Sequence, residues 1–230
     1  MLTPEEEKFL SNPINTISSC YRIINKKGQD VLFTPNWAQM ILLKEMHNRN
    51  IILKARQLGS TTFWCIYLLN KALFQPNTKI GIISYSLQSA HDIFAKIIKH
   101  AIRTLPGKIA ELPQCQLVQD SAREVVFANG SSIRVDTTMR GGTLSALLIT
   151  EFGKICARYP AKAEEIITGS LNSVPIDALC VIESTAEGAS GRYYEMWKDA
   201  WNNRHKGEYE PMEWKPHFFS WHDHPEYAIN

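Results

Sequence analysis

What this sequence lacks narrows the possibilities first. It has no C-x-x-C pair: its five cysteines, Cys20, Cys65, Cys115, Cys156 and Cys180, are scattered and odd in number. That pattern argues against a disulfide framework and for reduced thiols in or near a core. No apolar run reaches the roughly 18 residues that a membrane span needs. The start, MLTPEEEKFL, is acidic and has none of the basic-then-apolar pattern of a signal peptide. Neither sign of charge is in excess: 25 Lys+Arg against 23 Asp+Glu leave a formal net charge of +2. So small a balance does not by itself argue for a nucleic-acid partner, which would have to be met by a local patch. Internal repeats and low-complexity tracts are missing too. A soluble, intracellular chain with no membrane partner is expected.

What is present is a globular composition, 44% hydrophobic and 21% charged over 230 residues. That length suits one large domain, at roughly 150 residues per domain, or a domain with an extension. Residues 1–33 mix short polar and apolar pieces around a turn at Lys27-Gly28, which predicts a small leading segment before a domain over 34–230. A helix is expected over TPNWAQMILLKEMHN, with Thr34 as its cap and Pro35 in the first helical position. NIILKA then reads as a buried strand and TTFWCIYLLNKALFQ as a buried helix. TKIGIISY is the next strand, followed by a helix capped by Ser86 and stopped at Pro106-Gly107. REVVFANGSSIRVDTT predicts a hairpin turning at Asn129-Gly130. ALLIT and ALCVIEST are two further buried strands around a helical region near 161–171. GRYYEMWKDAWNNRH reads as a helix and WKPHFFSW as a last strand. Strands alternating with helices predict a layered α/β domain with a mainly parallel sheet, the hairpin being an insertion in it.

Between the first buried strand and its helix lies KARQLGSTT, Lys54 to Thr62. It looks like a phosphate-binding P-loop, G-x-x-x-x-G-K-[ST], with its lysine moved. Aligning the second glycine on Gly59 puts the hydroxyl at Thr61, Ser60 where the lysine belongs, and Lys54 where the first glycine belongs. A strand running in and a helix running out let backbone N–H groups face an anion. Lys54 and Arg56 put two cations beside the same concavity, and a lysine stem is long enough to neutralise phosphate from the loop's first position. ALLIT delivers Glu151 at a strand end, where open α/β sheets bind ligands and a carboxylate can polarise an attacking water. The residue before it, where an aspartate would help a metal, is the uncharged Thr150. ALCVIEST ends in Ser184 and Thr185, hydroxyls placed to sense a γ-phosphate, while Glu183 and Glu187 read as solvated. His222, Asp223 and His224 stand too close together to make a metal site without a distant partner ligand.

In this order the pieces resemble the ATPase domain of the large terminase subunit of tailed bacteriophages, motors that drive double-stranded DNA into a preformed capsid. FTPNWAQ with Gln39, KARQLGSTT, TTMRGGTLSALLITEFGK and VIESTAEGASGRYYEMW carry the resemblance over residues from about 33 to 200. The resemblance implies an ASCE-type P-loop NTPase that binds ATP and Mg²⁺. Gln39 would read adenine, and Lys54, Ala55, Arg56, Gln57, Leu58, Gly59, Ser60, Thr61 and Thr62 would form the phosphate loop. Arg56 would contact the β- and γ-phosphates, and Thr61 would ligate Mg²⁺ with little help from Thr150. Glu151 would orient water, and Ser184 and Thr185 would pass hydrolysis to movement. Arg140 would be offered to a neighbouring subunit's nucleotide, implying a homo-oligomeric ring. A portal protein, a small terminase subunit and the cytoplasm of a bacterial host follow from the same likeness. The family's nuclease domain, with its cluster of metal-binding acids, is expected to be absent from these residues, and with it nuclease activity. Two other readings stay open. A related helicase or translocase would carry further motifs and a second motor domain; a packaging scaffold that binds nucleotide without hydrolysing it is favoured by Ser60 and Thr150.

Overall fold

The computed structural model describes residues 3–10 and 12–223; His224 lies outside them. Two short helices open the chain, α1 (Pro4–Leu10) and α2 (Pro13–Ser19), each with proline in its first position, where no N–H is needed. A hairpin follows, β1 (Arg22–Ile24) and β2 (Asp30–Leu32), turning through Gly28 at φ 75°. This leading segment packs into the main core. Ile17, Tyr21 and Phe33 are buried there, and the Tyr21 hydroxyl donates to Asn70 Oδ1 at 2.9 Å.

Helix α3 (Trp37–Lys44) is capped by Asn36, not by Thr34 as its sequence suggested. Asn36 Oδ1 accepts the Gln39 N–H at 3.0 Å while Gln39 Oε1 accepts the Asn36 N–H at 2.9 Å. This reciprocal capping box satisfies two donors at once, which a threonine two residues earlier cannot do. Then come β3 (Arg49–Lys54), α4 (Ser60–Phe74) and β4 (Lys79–Ile83). Helix α5 (Leu87–Ile93) takes the expected cap from Ser86 and runs through a π-helical stretch, 94–99, into α6 (His100–Arg103). Pro106 ends that rod, but Gly107 opens another turn, α7 (Gly107–Ala110).

Strands β5 (Leu117–Asp120), β6 (Glu124–Phe127), β7 (Ser132–Asp136) and β8 (Ala146–Thr150) follow. Helices α8 (Phe152–Arg158) and α9 (Pro160–Glu165) lead to β9 (Leu179–Ser184), α10 (Arg192–Asn202) and β10 (Lys215–Phe219). The strands of the eight-stranded sheet lie in the order β10-β3-β9-β8-β4-β7-β6-β5. From β10 to β7 every pairing is parallel. The β6–β7 hairpin is a continuation of this sheet, because β7 pairs parallel with β4 from Lys79↔Ser132 to Ile83↔Asp136. Strand β5 was not foreseen: all four of its residues are exposed, so no burial pattern marks it.

Side chains alternate between two cores across the sheet. Ile52, Leu148 and Val181 face α4, with Phe63, Trp64 and Leu68, while Ile51, Ile149 and Ile182 face α8 and α10, with Phe152, Ile155 and Tyr193. Burying each large apolar side chain stabilises the fold by about 1.5–3 kcal/mol. Strand β9 therefore sits between loop-bearing β3 and carboxylate-bearing β8, and all three open onto one edge.

Candidate active site

The loop from Ala55 to Gly59 is tied down on both sides. Ala55 N–H donates to Phe219 O on β10 at 2.9 Å. From α3, Asn36 Nδ2 donates to Leu58 O at 3.0 Å and Gln39 Nε2 to Gly59 O at 2.9 Å. Gln57 and Gly59 both hold left-handed conformations, φ 61° and φ 70°. The left-handed φ favours glycine at 59, and a Cβ there would lie 2.8 Å from Gln39 Nε2 and push that amide aside. The left-handed turn aims the first N–H groups of α4 outward with no side-chain cap on Gly59, leaving donors and the positive end of a 15-residue helix open to an anion.

Lys54 is 8% exposed and pairs with no described residue; Arg56 is exposed and equally unpaired. Beside the loop opens a cavity of about 840 Å³, walled by the β1–β2 hairpin and by Trp37, Gln39, Gln57, Gly59 and Thr62. Such a volume suits a nucleotide-sized ligand. Glu151 caps the start of α8 in a left-handed conformation, φ 55°, an uncommon state for a non-glycine residue that costs of order 1–3 kcal/mol. Its half-buried carboxylate has no partner among the described residues. Ser184 Oγ accepts the Gly153 N–H at 3.0 Å, which joins the end of β9 to the helix that follows Glu151. A side chain at Gly153 would meet Ser184 Oγ at 2.8 Å.

Between these pieces stands a residue that sequence reasoning treated as solvated. Glu183 is fully buried, and its two carboxylate oxygens accept the Ser60 and Thr61 hydroxyls. The available signal was position: within a continuously buried strand, Glu183 falls on the same face as Val181, under α4. Tyr193 reports the convergence. Burial first, and then the Glu183 and Glu151 carboxylates, hold its phenol well above the ordinary range, and its hydroxyl donates to Ile52 O at 2.6 Å.

Known structures share this fold. The ATPase domain of the Thermus phage P74-26 large terminase aligns over 82% of this chain and 81% of its own, at 18% identity and a TM-score of 0.59. The fold is that of a large terminase ATPase domain. The large terminase of bacteriophage HK97 aligns over 96% of this chain at 17% identity and a TM-score of 0.67, and the match spans 45% of that longer protein. The large terminase of the thermophilic bacteriophage D6E, in complex with ATP-γ-S, aligns over 85% of this chain and 47% of its own, at 9% identity and a TM-score of 0.53. No family model and no curated protein matches the chain by sequence.

Within the terminase fold, Lys54, Arg56, Ser60, Thr61, Thr150, Glu151, Ser184 and Thr185 all lie at the C-terminal edge of the sheet. Thr150 is buried and turns its hydroxyl toward β4, 3.3 Å from both Ile83 O and Ser84 Oγ. Thr185 is buried just beyond β9. Arg140 does not join this group. It is exposed, paired with Glu165 at 2.8 Å, and shares a separate cleft with Lys79 and Ser132, the first residues of β4 and β7. Ser170 fixes that loop by bonding both the N–H and the carbonyl of Met139. No described helix is long and apolar enough to cross a membrane.

Proposed function

We propose that the chain is the ATPase motor domain of a phage terminase large subunit, which hydrolyses ATP to move double-stranded DNA into a procapsid. The observation that carries this reading is the pair of unpartnered cations, Lys54 and Arg56, at the start of a left-handed loop that leads into a helix N-terminus, with the unpartnered carboxylate of Glu151 at the same edge of the sheet. The fold likeness, including a relative bound to ATP-γ-S, supports it.

Nucleotide phosphates would accept the loop and α4 N–H groups, with Lys54 and Arg56 neutralising their charge. The base would enter the cavity beside Trp37 and Gln39. An amide has two donor hydrogens and two acceptor sites; Gln39 uses one of each on Asn36 and Gly59 and keeps one of each for adenine.

The described residues hold no trio of His, Cys, Asp and Glu side chains able to bind a metal unaided. They do offer hard oxygen donors beside a phosphate site, which is how Mg²⁺ is held, through few protein ligands plus phosphates and water. Mg²⁺ bound at the Thr61 hydroxyl would neutralise charge developing on the phosphate oxygens. Glu151 would orient the attacking water and take its proton, and the Ser184–Gly153 bond would carry the change at the γ-phosphate into α8. Arg140, turned away from its own chain's loop, would serve the nucleotide of a neighbour in a ring. DNA would be held by backbone phosphates, since packaging must ignore sequence, and its binding would fall steeply with salt. A portal protein and a small terminase subunit complete the proposed partners.

The test is phosphate release from Mg-ATP by the chain and by Glu151→Ala, with nucleotide binding measured in parallel. Turnover should fall by about 10²–10⁴ in the variant while binding survives. Binding without turnover in both proteins would favour a packaging scaffold, the reading that Ser60 and Thr150 support. Absence of binding would remove the phosphate-loop reading altogether.

A further inference from the structure

Glu183 has no part in the reading above, yet it is the most deeply buried charged group at this edge of the sheet. It is fully buried, and no ion pair joins it to a described residue. Among the described residues, its hydrogen-bonding partners are the two hydroxyls that open α4, Ser60 and Thr61. A carboxylate removed from water and met only by neutral donors is retained at a cost to stability, and such groups gather where charge is needed.

The register gives the reason a terminase fold would keep it. Thr150 on β8 and Glu183 on β9 are direct partners in parallel strands, and both face α4, as Leu148 and Val181 do two residues earlier in each strand. The position that would carry an aspartate toward the metal holds a threonine, and that threonine spends its hydroxyl on β4. One strand nearer the loop, at the same level, stands a carboxylate already bonded to the loop's metal-side hydroxyl.

We infer that Glu183 does for this site what an aspartate at position 150 would do: it takes the proton of the Thr61 hydroxyl in a hydrogen bond, turns that oxygen's lone pairs outward, and adds negative charge behind the divalent cation. Glu183 is on this account a positioning residue that acts through Thr61. A carboxylate behind a ligand raises the ligand's basicity and fixes its orientation, and removing such a partner costs about 10–100-fold in metal affinity. The inference rests on the nucleotide-site reading above.

The probe is Mn²⁺, whose free fraction is read by electron paramagnetic resonance, titrated into the full chain saturated with ADP. Nucleotide affinity is measured separately in EDTA, and folding by the thermal midpoint. Glu183→Gln keeps the size and loses the charge. It should weaken Mn²⁺ binding about tenfold or more while ADP affinity in EDTA stays within twofold. Thr150→Asp added to Glu183→Gln should restore most of the loss, which a merely structural role for Glu183 does not predict. If Glu183→Gln fails to fold, Glu183→Asp asks the same question, because a carboxylate one methylene shorter draws away from Thr61 and should weaken Mn²⁺ several-fold. Unchanged Mn²⁺ affinity in a folded, ADP-binding variant would overturn the inference and leave the nucleotide site standing. No ADP binding by the unaltered chain would overturn both.

Discussion

Arg49 and Lys54 stand at opposite ends of strand β3, both buried, at 3% and 8% exposure, and their surroundings could hardly differ more. Arg49 is held by backbone carbonyls. Its guanidinium donates to Ala178 O at 2.7 Å, Pro175 O at 3.0 Å and Val174 O at 3.1 Å, fastening β3 to the turn that feeds β9. Lys54 has no such partner among the described residues, and around it the loop turns N–H groups and a helix N-terminus toward the same space. A buried charge surrounded by carbonyl dipoles holds a fold together; a buried charge left open beside further positive potential is set for an anion that is not part of the chain. On the proposed reading, the strand is structural at one end and ligand-binding at the other.

Exchanging the two roles by mutation is the sharpest way to test the contrast. The largest effect is expected from Lys54→Ala, which should lower turnover by at least about 10²-fold, as loss of a charge-stabilising donor does. Its thermal midpoint should hold or rise, because an unpaired charge no longer has to be desolvated; steady-state phosphate release and a melting curve check both. Arg49→Met should do the reverse. It leaves the Val174 and Ala178 carbonyls without their guanidinium donor, while Pro175 O keeps the Ala178 N–H, and should cost about 2–3 kcal/mol, given roughly 1–3 kcal/mol for each buried group left unmet. Urea unfolding reads this loss, with nucleotide affinity of the folded protein little changed.

A smaller effect comes from acid. His217 on β10 is buried with its Nε2 3.0 Å from Asn50 Oδ1, and burial, followed by the Lys215 and His47 charges, pushes its pKa from 6.5 down to about 3. Between those values the unfolded chain binds a proton that the folded chain refuses. The stability due to neutral His217 is therefore whole above pH 6.5 and declines as pH falls toward 3, by about 2 kcal/mol between pH 6.5 and 5. Urea midpoints across that range should show the slope, and His217→Gln should flatten it. The smallest change expected is for Gly59→Ala, which forces a left-handed alanine and should cost about 1–2 kcal/mol while disturbing the Gln39 brace.

Much of the site was legible because its chemistry is local. The spacing of Gly59, Thr61 and Lys54 between a buried strand and a buried helix describes a loop that can be read without coordinates. Glu151 and Ser184 fall at strand ends, and parallel strands bring those ends together. What was hidden depends on neighbours distant in sequence. Glu183 looks solvated until β9 is known to lie between β3 and β8, when its face and its hydroxyl partners follow. Thr34 and Asn36 are both good caps, and only the reciprocal bond with Gln39 decides between them. Exposed β5 has no burial pattern to announce it.

The most direct measurement is a calorimetric titration of ATP-γ-S into the unaltered chain, Lys54→Ala and Arg49→Met, each first shown to be folded. The contrast between the two ends of β3 predicts clear binding by the unaltered chain, binding retained by Arg49→Met, and binding weakened at least about 10²-fold in Lys54→Ala, a difference of near 3 kcal/mol. Equal affinity in the unaltered chain and Lys54→Ala would contradict it, for the buried lysine would then not be waiting for phosphate.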